Sequence, residues 1–160
     1  MLECCRWRLE LAIATERDLV QYQRVSSRVN DPVIDPIRRE GIAMTQPCEL
    51  SVAEAARRIR GRELSIVDLV QSLLRRIEVL EPRLKAWVYL DREAVLAEAE
   101  QKQAQIDSGA AVGTLHGVPI GLKDIYYTAG IPTTACSKLY AGFVPDYDAT
   151  TVAMLKEAGA

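Results

Sequence analysis

The sequence lacks a strong excess of either charge, and it lacks a long apolar run. Its 160 residues include 20 lysines and arginines against 22 acidic residues, a formal net charge of -2, so no basic field favours a nucleic-acid backbone. No apolar run approaches the roughly 20 residues that a membrane span needs. Charged residues at positions 3, 6, 8 and 10 argue against a secretory signal. We therefore expect a cytoplasmic protein with no direct nucleic-acid or membrane partner.

Residues that commonly bind metals are also scarce. The sequence has one histidine, His116, and four cysteines, of which Cys4 and Cys5 are adjacent and so lack CxxC spacing. No second cysteine cluster could complete a metal site with these two residues, so neither a zinc site nor a disulfide framework is predicted. We expect no metal and no cofactor. His116 could form a catalytic dyad with Cys136 or Ser137, but a packed, hydrogen-bonded histidine is the favoured interpretation.

The chain changes in character near Met44. Residues 1–43 contain no glycine before Gly41, and two Asp-Pro pairs interrupt whatever apolar periodicity they have. We expect residues 1–43 to be a non-native or disordered N-terminal extension, the alternative being a genuine arm that packs poorly. Residues 44–160 are expected to form the N-terminal part of a larger, truncated domain.

Helical signals dominate from residue 51 to residue 109. Ser51 and Glu54 have capping-box spacing, in which the serine caps the third helical amide and the glutamate reaches back to the serine amide. Apolar residues recur at helical spacing behind the first two capping residues, whereas the third helix is rich in alanine, glutamate and glutamine, and glycine or proline follows each helix. The first predicted helix begins at Ser51 and ends at Gly61, and the second begins at Ser65 and ends at Glu81-Pro82. The third begins at Asp91 and ends near Asp107, with Gly109 beyond it.

Strand and loop signals follow these helices and separate them. Residues 86–90 and 118–122 have the apolar, aromatic and β-branched content of short buried strands. Residues 128–137 are predicted to form an irregular loop. Asp148 is predicted to cap a last helix that ends at Gly159. Its predicted inward residues are Val152 and Leu155, with Met154 as a further candidate. A strand–loop–helix order implies a further strand, and we expect that strand outside these 160 residues.

Lys123 follows the second predicted strand directly and precedes Asp124. A lysine carried inward on an apolar strand loses hydration, which disfavours its charged form. Its pKa has to fall from about 10.4 toward about 7–8 before the amine can act as a base near neutral pH. The alternative is an exposed lysine that is solvated or paired with Asp124.

The run Leu115-His116-Gly117-Val118-Pro119-Ile120-Gly121-Leu122-Lys123-Asp124 resembles the amidase-signature family. The resemblance continues through Thr128-Ala129-Gly130-Ile131-Pro132-Thr133-Thr134 and Ser137-Lys138, and on to Ala160, and it covers most of residues 44–160. Several motifs in one order are far more specific than a single short pattern. The resemblance implies an α/β fold with a central mixed sheet flanked by helices, of which this chain would hold only the N-terminal segment.

The same resemblance implies roles for individual residues. Lys123 matches the family's catalytic base, which acts with a nucleophilic serine and a second serine held by a cis peptide bond; both serines are expected outside this chain. Asp124, Gly121 and Thr134 are expected to support the site. Thr133 could line the site beside Thr134, although turn bonding explains threonines in a loop equally well.

Two positions depart from the family pattern. Cys136 stands where glycine is common, and Ile125 stands where many relatives have asparagine. Neither departure touches Lys123. The difference at Ile125 means that the substrate preference of those relatives does not carry over to this chain.

The expected activity is therefore hydrolysis of a small or peptide-like carboxamide to an acid and ammonia, through an acyl-enzyme. One member of a three-part site cannot carry that reaction, so we expect the isolated chain to be inactive. The alternative is the A subunit of the tRNA-dependent amidotransferase, which releases ammonia from glutamine and works with partner subunits. A second alternative is an inactive gene remnant, or a helical interaction module that retains the motif.

Overall fold

The computed structural model describes residues 46–160, and the prediction for residues 1–43 lies outside them. Four α-helices and two 3-10 turns make up the regular structure of this part. In the described residues no helix is both long enough and apolar enough to cross a bilayer. The helices are α1 (Val52–Arg60), α2 (Ile66–Leu84), α3 (Arg92–Asp107) and α4 (Thr150–Glu157), and the 3-10 turns are Pro47–Glu49 and Lys138–Tyr140.

The predicted caps of the first three helices are confirmed. The side chains of Ser51, Ser65 and Asp91 accept hydrogen bonds from the amides three residues later, as N-cap residues do. The predicted hydrogen bond from the Ser51 amide to the Glu54 side chain does not form. The Glu54 carboxylate binds Arg57 and Arg58 instead, so this half of the predicted capping box is wrong. These hydrogen bonds lower the pKa of Glu54 from 4.5 to about 2.

The predicted end of α2 at Glu81-Pro82 is wrong. The helix continues through Pro82 to Leu84, and it ends where Lys85 takes a left-handed conformation with φ 48°. Proline removes one amide donor, so the Glu78 carbonyl loses its helical partner. The Glu78 side chain is 66% exposed, which indicates that this side of the helix faces water, and water can satisfy such a carbonyl.

Neither predicted strand forms within the described residues. Residues 86–90 and 118–122 form no strand, and the one β-bridge in this part of the chain joins Thr128 to Ile131. The Glu81 carboxylate accepts hydrogen bonds from the amides of Ala86 and Trp87, so the first segment begins as a helix cap. Strand pairing requires a neighbouring strand, and residues 46–160 supply none.

The hydrophobic core lies between α1, α2 and α3. Helix α2 packs against α3 and against the first 3-10 turn. The largest fully buried side chains are Ile59 of α1 and Ile66 of α2. The core also holds small and medium apolar residues from all three helices and one residue of the following segment: Ala55, Ala56, Leu69, Val70, Leu74, Ala99, Ile106 and Val118.

Helix α4 returns the chain to the segment that precedes Lys123. The amides of Leu115 and Gly117 donate to the carbonyls of Ala158 and Gly159, at 2.9 and 3.0 Å. Val152 is buried, which confirms the first predicted inward residue, whereas Leu155 is only half-buried and Met154 is 64% exposed, so the predicted inward position of Met154 is wrong. Gly159 has φ +95° and lies two residues after Glu157, the last residue of α4, close to the predicted end. The cap predicted at Asp148 is wrong: Ala149 is the N-cap residue, and no side chain caps the helix.

The Asp148 carboxylate accepts from the Ala129 amide at 2.8 Å and from the Lys156 amine at 2.7 Å. The Lys156 and Ala129 hydrogen bonds hold the pKa of Asp148 below its ordinary value. The residue predicted as a cap therefore joins the loop at Ala129 to α4 through charged hydrogen bonds.

Candidate active site

Lys123 lies at the start of a tight turn on the surface of the described part. Its carbonyl accepts hydrogen bonds from the amides of Ile125 at 2.7 Å and Tyr126 at 3.1 Å. Its side chain is exposed, and it forms no hydrogen bond or ion pair with residues 46–160. The expectation that an apolar strand carries Lys123 inward is therefore wrong within this part of the chain. The turn instead fixes the backbone from which the amine extends.

Asp124 does not pair with Lys123, because the loop ten residues further on surrounds its carboxylate. The Thr134 amide donates to one carboxylate oxygen at 2.7 Å, and the Thr134 hydroxyl donates to the other at 2.5 Å. The Cys136 amide approaches the second oxygen at 3.4 Å, and the Ala135 amide donates to the Asp124 carbonyl at 2.9 Å. Two residues predicted to support the site, Asp124 and Thr134, are thus in direct contact.

Two opposing effects set the acidity of Asp124. Partial burial raises its pKa, since a charged carboxylate loses hydration. The hydrogen bonds from the Thr134 hydroxyl and from the amides of Thr134, Cys136 and Ala135 outweigh burial, and the pKa lies below its ordinary value. Asp124 is therefore ionised at neutral pH and binds this loop as an anion.

The loop that Asp124 holds contains two consecutive residues in the left-handed region. Ala135 has φ 49° and Cys136 has φ 54°, although neither is glycine. Such a conformation costs about 1–2 kcal/mol per residue for side chains with a Cβ atom. Glycine, which lacks a Cβ atom, would avoid this cost at position 136. The backbone at Cys136 would therefore suit glycine better than cysteine.

Gly121, the third residue predicted to support the site, allows two segments to approach each other closely. A Cβ atom at Gly121 would lie 3.2 Å from the Trp87 ring, which is tighter than most real contacts. The Trp87 side chain therefore sits over the backbone two residues before Lys123. The contact brings residues 86–90 beside residues 118–122, although no backbone hydrogen bonds join them.

His116 has a structural partner in the described part of the chain. It is buried, and its Nε2 lies 2.9 Å from the Lys102 carbonyl, which can only accept, so Nε2 carries the proton. This confirms the packed, hydrogen-bonded interpretation. Cys136 is exposed, and the Ser137 hydroxyl accepts from the Leu139 amide at the second 3-10 turn. Neither side chain is hydrogen-bonded to His116.

The hydrogen-bonded role of Asp124 could not be read from spacing, because its partners lie in an irregular loop. Thr133, beside Thr134, is buried and donates its amide to the Phe143 carbonyl, so its contacts are those of a packed loop residue. Among the described residues, no three metal-binding side chains come together. The chemical groups gathered near Lys123 are thus an exposed amine, an ionised carboxylate engaged with its own loop, and large apolar side chains.

Comparison with known proteins gives one consistent family. The family model "Amidase" matches residues 68–160. The chain is 46% identical over 112 residues to AmiD of Mycobacterium tuberculosis, whose name assigns it to the amidases; the match covers 70% of this chain and 24% of AmiD. The chain is also 41% identical over 114 residues to the A subunit of the glutamyl-tRNA(Gln) amidotransferase of Myxococcus xanthus, covering 71% and 24%.

Solved structures agree with the sequence matches. The native peptide amidase of Stenotrophomonas maltophilia is 38% identical with a TM-score of 0.63, and the match covers 70% of this chain and 23% of that one. A fatty acid amide hydrolase, 22% identical with a TM-score of 0.68, shares the fold. The chain thus spans about a quarter of the length of the relatives that it matches.

Proposed function

This chain belongs to the amidase family, and we propose that it carries the catalytic lysine of an amide hydrolase. The observation that supports the role most directly is that the Lys123 amine has no carboxylate partner among residues 46–160, within a stretch that matches the amidase family model. An ion pair would keep the amine protonated, and so would full exposure to water, so we propose that the segment outside these 160 residues covers Lys123 in the complete domain. Because Thr134 binds the Asp124 carboxylate, the acid that directly follows Lys123 in the sequence does not pair with the Lys123 amine.

The proposed reaction is acyl transfer to a serine. Lys123 takes a proton from a relay serine, which takes one from the attacking serine; the attacking oxygen bonds to the amide carbon. The carbon–nitrogen bond breaks as the proton returns to the nitrogen, which leaves as ammonia or an amine. Water then cleaves the serine ester to give the acid. Both serines are proposed to lie in a segment outside these 160 residues, so the chain alone is proposed to be inactive.

The proposed site needs no metal and no organic cofactor, because the serine and lysine supply the nucleophile and the base. We propose that Asp124 and Thr134 position the Lys123 turn, and that Gly121 leaves room for the Trp87 ring behind it. In the complete domain, residues 86–90 and 118–122 are proposed to join a central mixed sheet. We propose a cytoplasmic location.

The substrate is proposed to be a small or peptide-like carboxamide, and the runner-up is glutamine. The 38% identity to a peptide amidase supports the first substrate class. The 41% identity to an amidotransferase component supports the second, which would add partner subunits. Amide hydrolysis by the complete protein alone favours the first. Glutamine hydrolysis that rises when amidotransferase partner subunits and charged tRNA are added favours the second.

The decisive test is the Lys123→Ala variant of the complete protein that contains this chain. We expect hydrolysis of a simple carboxamide to fall by at least about a thousandfold, since removing one member of such a triad removes most of its effect. Lys138→Ala serves as the control, because Lys138 is an exposed lysine in a 3-10 turn. An unchanged rate in Lys123→Ala would exclude the proposed mechanism.

A further inference from the structure

Helix α4 is hydrogen-bonded to both ends of the stretch of chain that contains Lys123. At the start of the helix, the amide of the N-cap residue donates to the Tyr127 carbonyl at 2.8 Å. Beyond the end of the helix, the Gly159 carbonyl accepts from the Gly117 amide at 3.0 Å. We name residues 117–127 the lysine arc, since these two hydrogen bonds hold its two ends near opposite ends of one helix.

The length of α4 sets the distance between the two ends of the lysine arc. An α-helix rises about 1.5 Å per residue, so the eight residues of α4 span about 12 Å, and their backbone hydrogen bonds maintain this length. Between its ends, the arc is held at Asp124, whose carboxylate binds Thr134. A shift of α4 would therefore move the ends of the arc relative to Asp124, and the turn at Lys123 would change its position with them.

A lysine of α3 binds the chain just beyond the end of α4. The Lys102 amine donates to the Gly159 carbonyl at 3.0 Å, and the Lys102 side chain is only 19% exposed. The Glu98 carboxylate lies 3.8 Å from this amine and is 65% exposed, so this ion pair is weak. A lysine that loses most of its hydration needs compensation for its charge. The position of the amine near the C-terminal end of α4 supplies part of it, because the helix dipole is negative there.

The backbone of Lys102 binds the residue that precedes the lysine arc. The Lys102 carbonyl accepts from Nε2 of the buried His116 at 2.9 Å. His116 also packs tightly against Gly159, because a Cβ atom at Gly159 would lie 2.9 Å from the His116 Cα atom. Lys102 thus holds both sides of the hydrogen bond that begins the arc: its carbonyl binds the residue before Gly117, and its amine binds Gly159.

We propose that Lys102 is a positioning residue for the amidase reaction: by binding Gly159 it fixes α4 and the lysine arc, and so the point from which the Lys123 amine reaches the relay serine. This inference rests on the proposed function of Lys123. Lys102 itself contacts neither the substrate nor the reacting atoms. Its removal therefore affects the proton transfer, which requires a correctly placed base, rather than the binding of the substrate.

The kinetic test compares three variants of the complete protein that contains this chain. Lys102→Met keeps an unbranched apolar side chain and removes the ammonium group, and Lys102→Arg keeps a cation with donors. Lys138→Met makes the first substitution at an exposed lysine and is the control. For a simple carboxamide we expect kcat to fall about tenfold to a hundredfold in Lys102→Met, with KM unchanged, because a small displacement of a catalytic group has an effect of this size. Lys102→Arg should restore most of the lost kcat, and Lys138→Met should match the parent protein.

Hydrogen exchange in the same proteins measures the position of the arc independently of catalysis. The Gly117 amide is bonded at the start of the arc, and the amides of Ile125 and Tyr126 are bonded to the Lys123 carbonyl. These three amides should exchange faster in Lys102→Met than in the parent or in Lys102→Arg, while the amides of α2 keep their protection. Lys102→Gln, which keeps an uncharged donor, is measured in place of Lys102→Met if the latter does not fold.

Three results would overturn the inference: a kcat in Lys102→Met equal to that of the parent, a loss confined to KM, or unchanged protection of the Ile125 and Tyr126 amides in the variant without the lysine. Failure of the proposed function gives a different result. If Lys123→Ala leaves hydrolysis unchanged, Lys123 is not the base, whereas the exchange of these two amides still decides whether Lys102 holds the arc.

Discussion

The Thr134 hydroxyl donates to the Asp124 carboxylate at 2.5 Å, although the two residues lie ten positions apart in the sequence. The same hydroxyl accepts from the Cys136 amide at 3.3 Å, so one side chain links the carboxylate to the left-handed turn. The interaction is charge-assisted and partly buried, a class of hydrogen bond that is shorter and stronger than a neutral one. This hydrogen bond therefore links Asp124, the residue after Lys123, to the loop that contains Thr134 and Cys136.

Removing this hydroxyl should destabilise the chain. Thr134→Val keeps the shape and the backbone amide but loses the donor, and we expect the free energy of unfolding to fall by about 1–3 kcal/mol. Thr151→Val on the exposed face of α4 is the control and should stay within about 0.5 kcal/mol. Urea unfolding of the 160-residue chain measures both. A loss in Thr151→Val equal to that in Thr134→Val would contradict a specific role for this hydrogen bond.

The lowered pKa of Asp124 predicts a loss of stability in acid. A carboxylate whose pKa is lower in the folded state than in the unfolded state stabilises the fold above its ordinary pKa of 3.8. This contribution is lost as pH falls through the lower, folded value. Glu54 and Asp148 shift in the same direction and add to the slope, although their ion pairs are exposed and screened by salt.

Asp124→Asn should therefore flatten part of the acid dependence. Urea unfolding at a series of pH values below about 5 measures the slope for both proteins. If the variant and the parent chain lose stability in parallel, Asp124 is not a source of this pH dependence.

The left-handed conformation at Cys136 makes glycine the better residue there. We expect Cys136→Gly to stabilise the chain by about 0.5–1 kcal/mol, because relief of about 1–2 kcal/mol exceeds the entropy cost of glycine. Ala153→Gly in α4 is the matched control and should destabilise by about 1 kcal/mol. Thermal unfolding shows whether each substitution raises or lowers the stability of the chain. Loss of stability in Cys136→Gly would show that the thiol side chain contributes more than the backbone conformation costs.

Local signals predicted the helices well, because caps and apolar spacing act within one turn. The caps at Ser51, Ser65 and Asp91 needed no information from distant residues. Pro82 misled the prediction, since a proline near a solvated helix end costs little more than one hydrogen bond. Asp148 also misled it, because the Ala129 amide and the Lys156 amine compete for the carboxylate that would cap α4.

The strands and the site were harder to predict, because both depend on residues that are distant in the sequence. Residues 118–122 have a strand's composition, but a strand forms only against another strand. Lys123 was predicted as the base from its family motif, whereas its exposure depends on residues that the motif does not include. The pairing of Asp124 with Thr134 was missed because no periodicity links a strand-end acid to an irregular loop. These differences reflect long-range contacts that composition cannot report.

The contact between the residues that follow α4 and the segment that precedes Lys123 gives the most specific steric prediction. A Cβ atom at Gly113 would lie 2.2 Å from the Ala158 carbonyl oxygen, a distance that real contacts do not reach. That carbonyl cannot easily move away, since it accepts from the Leu115 amide at 2.9 Å. Gly113→Ala should therefore separate the two segments and cost about 3 kcal/mol, near the upper end for overpacking.

Gly109→Ala is the control that separates contact from conformation. Gly109 has φ +79° but no atom within 4 Å of its added Cβ, so alanine there should cost only about 1–2 kcal/mol of backbone strain. Hydrogen exchange adds a second measure: the Leu115 amide should lose protection in Gly113→Ala and keep it in Gly109→Ala. If Gly113→Ala unfolds at the same urea concentration as the parent chain and keeps this amide protected, the segments cannot be packed as described. That outcome would also remove the structural basis for joining α4 to the segment that leads to Lys123.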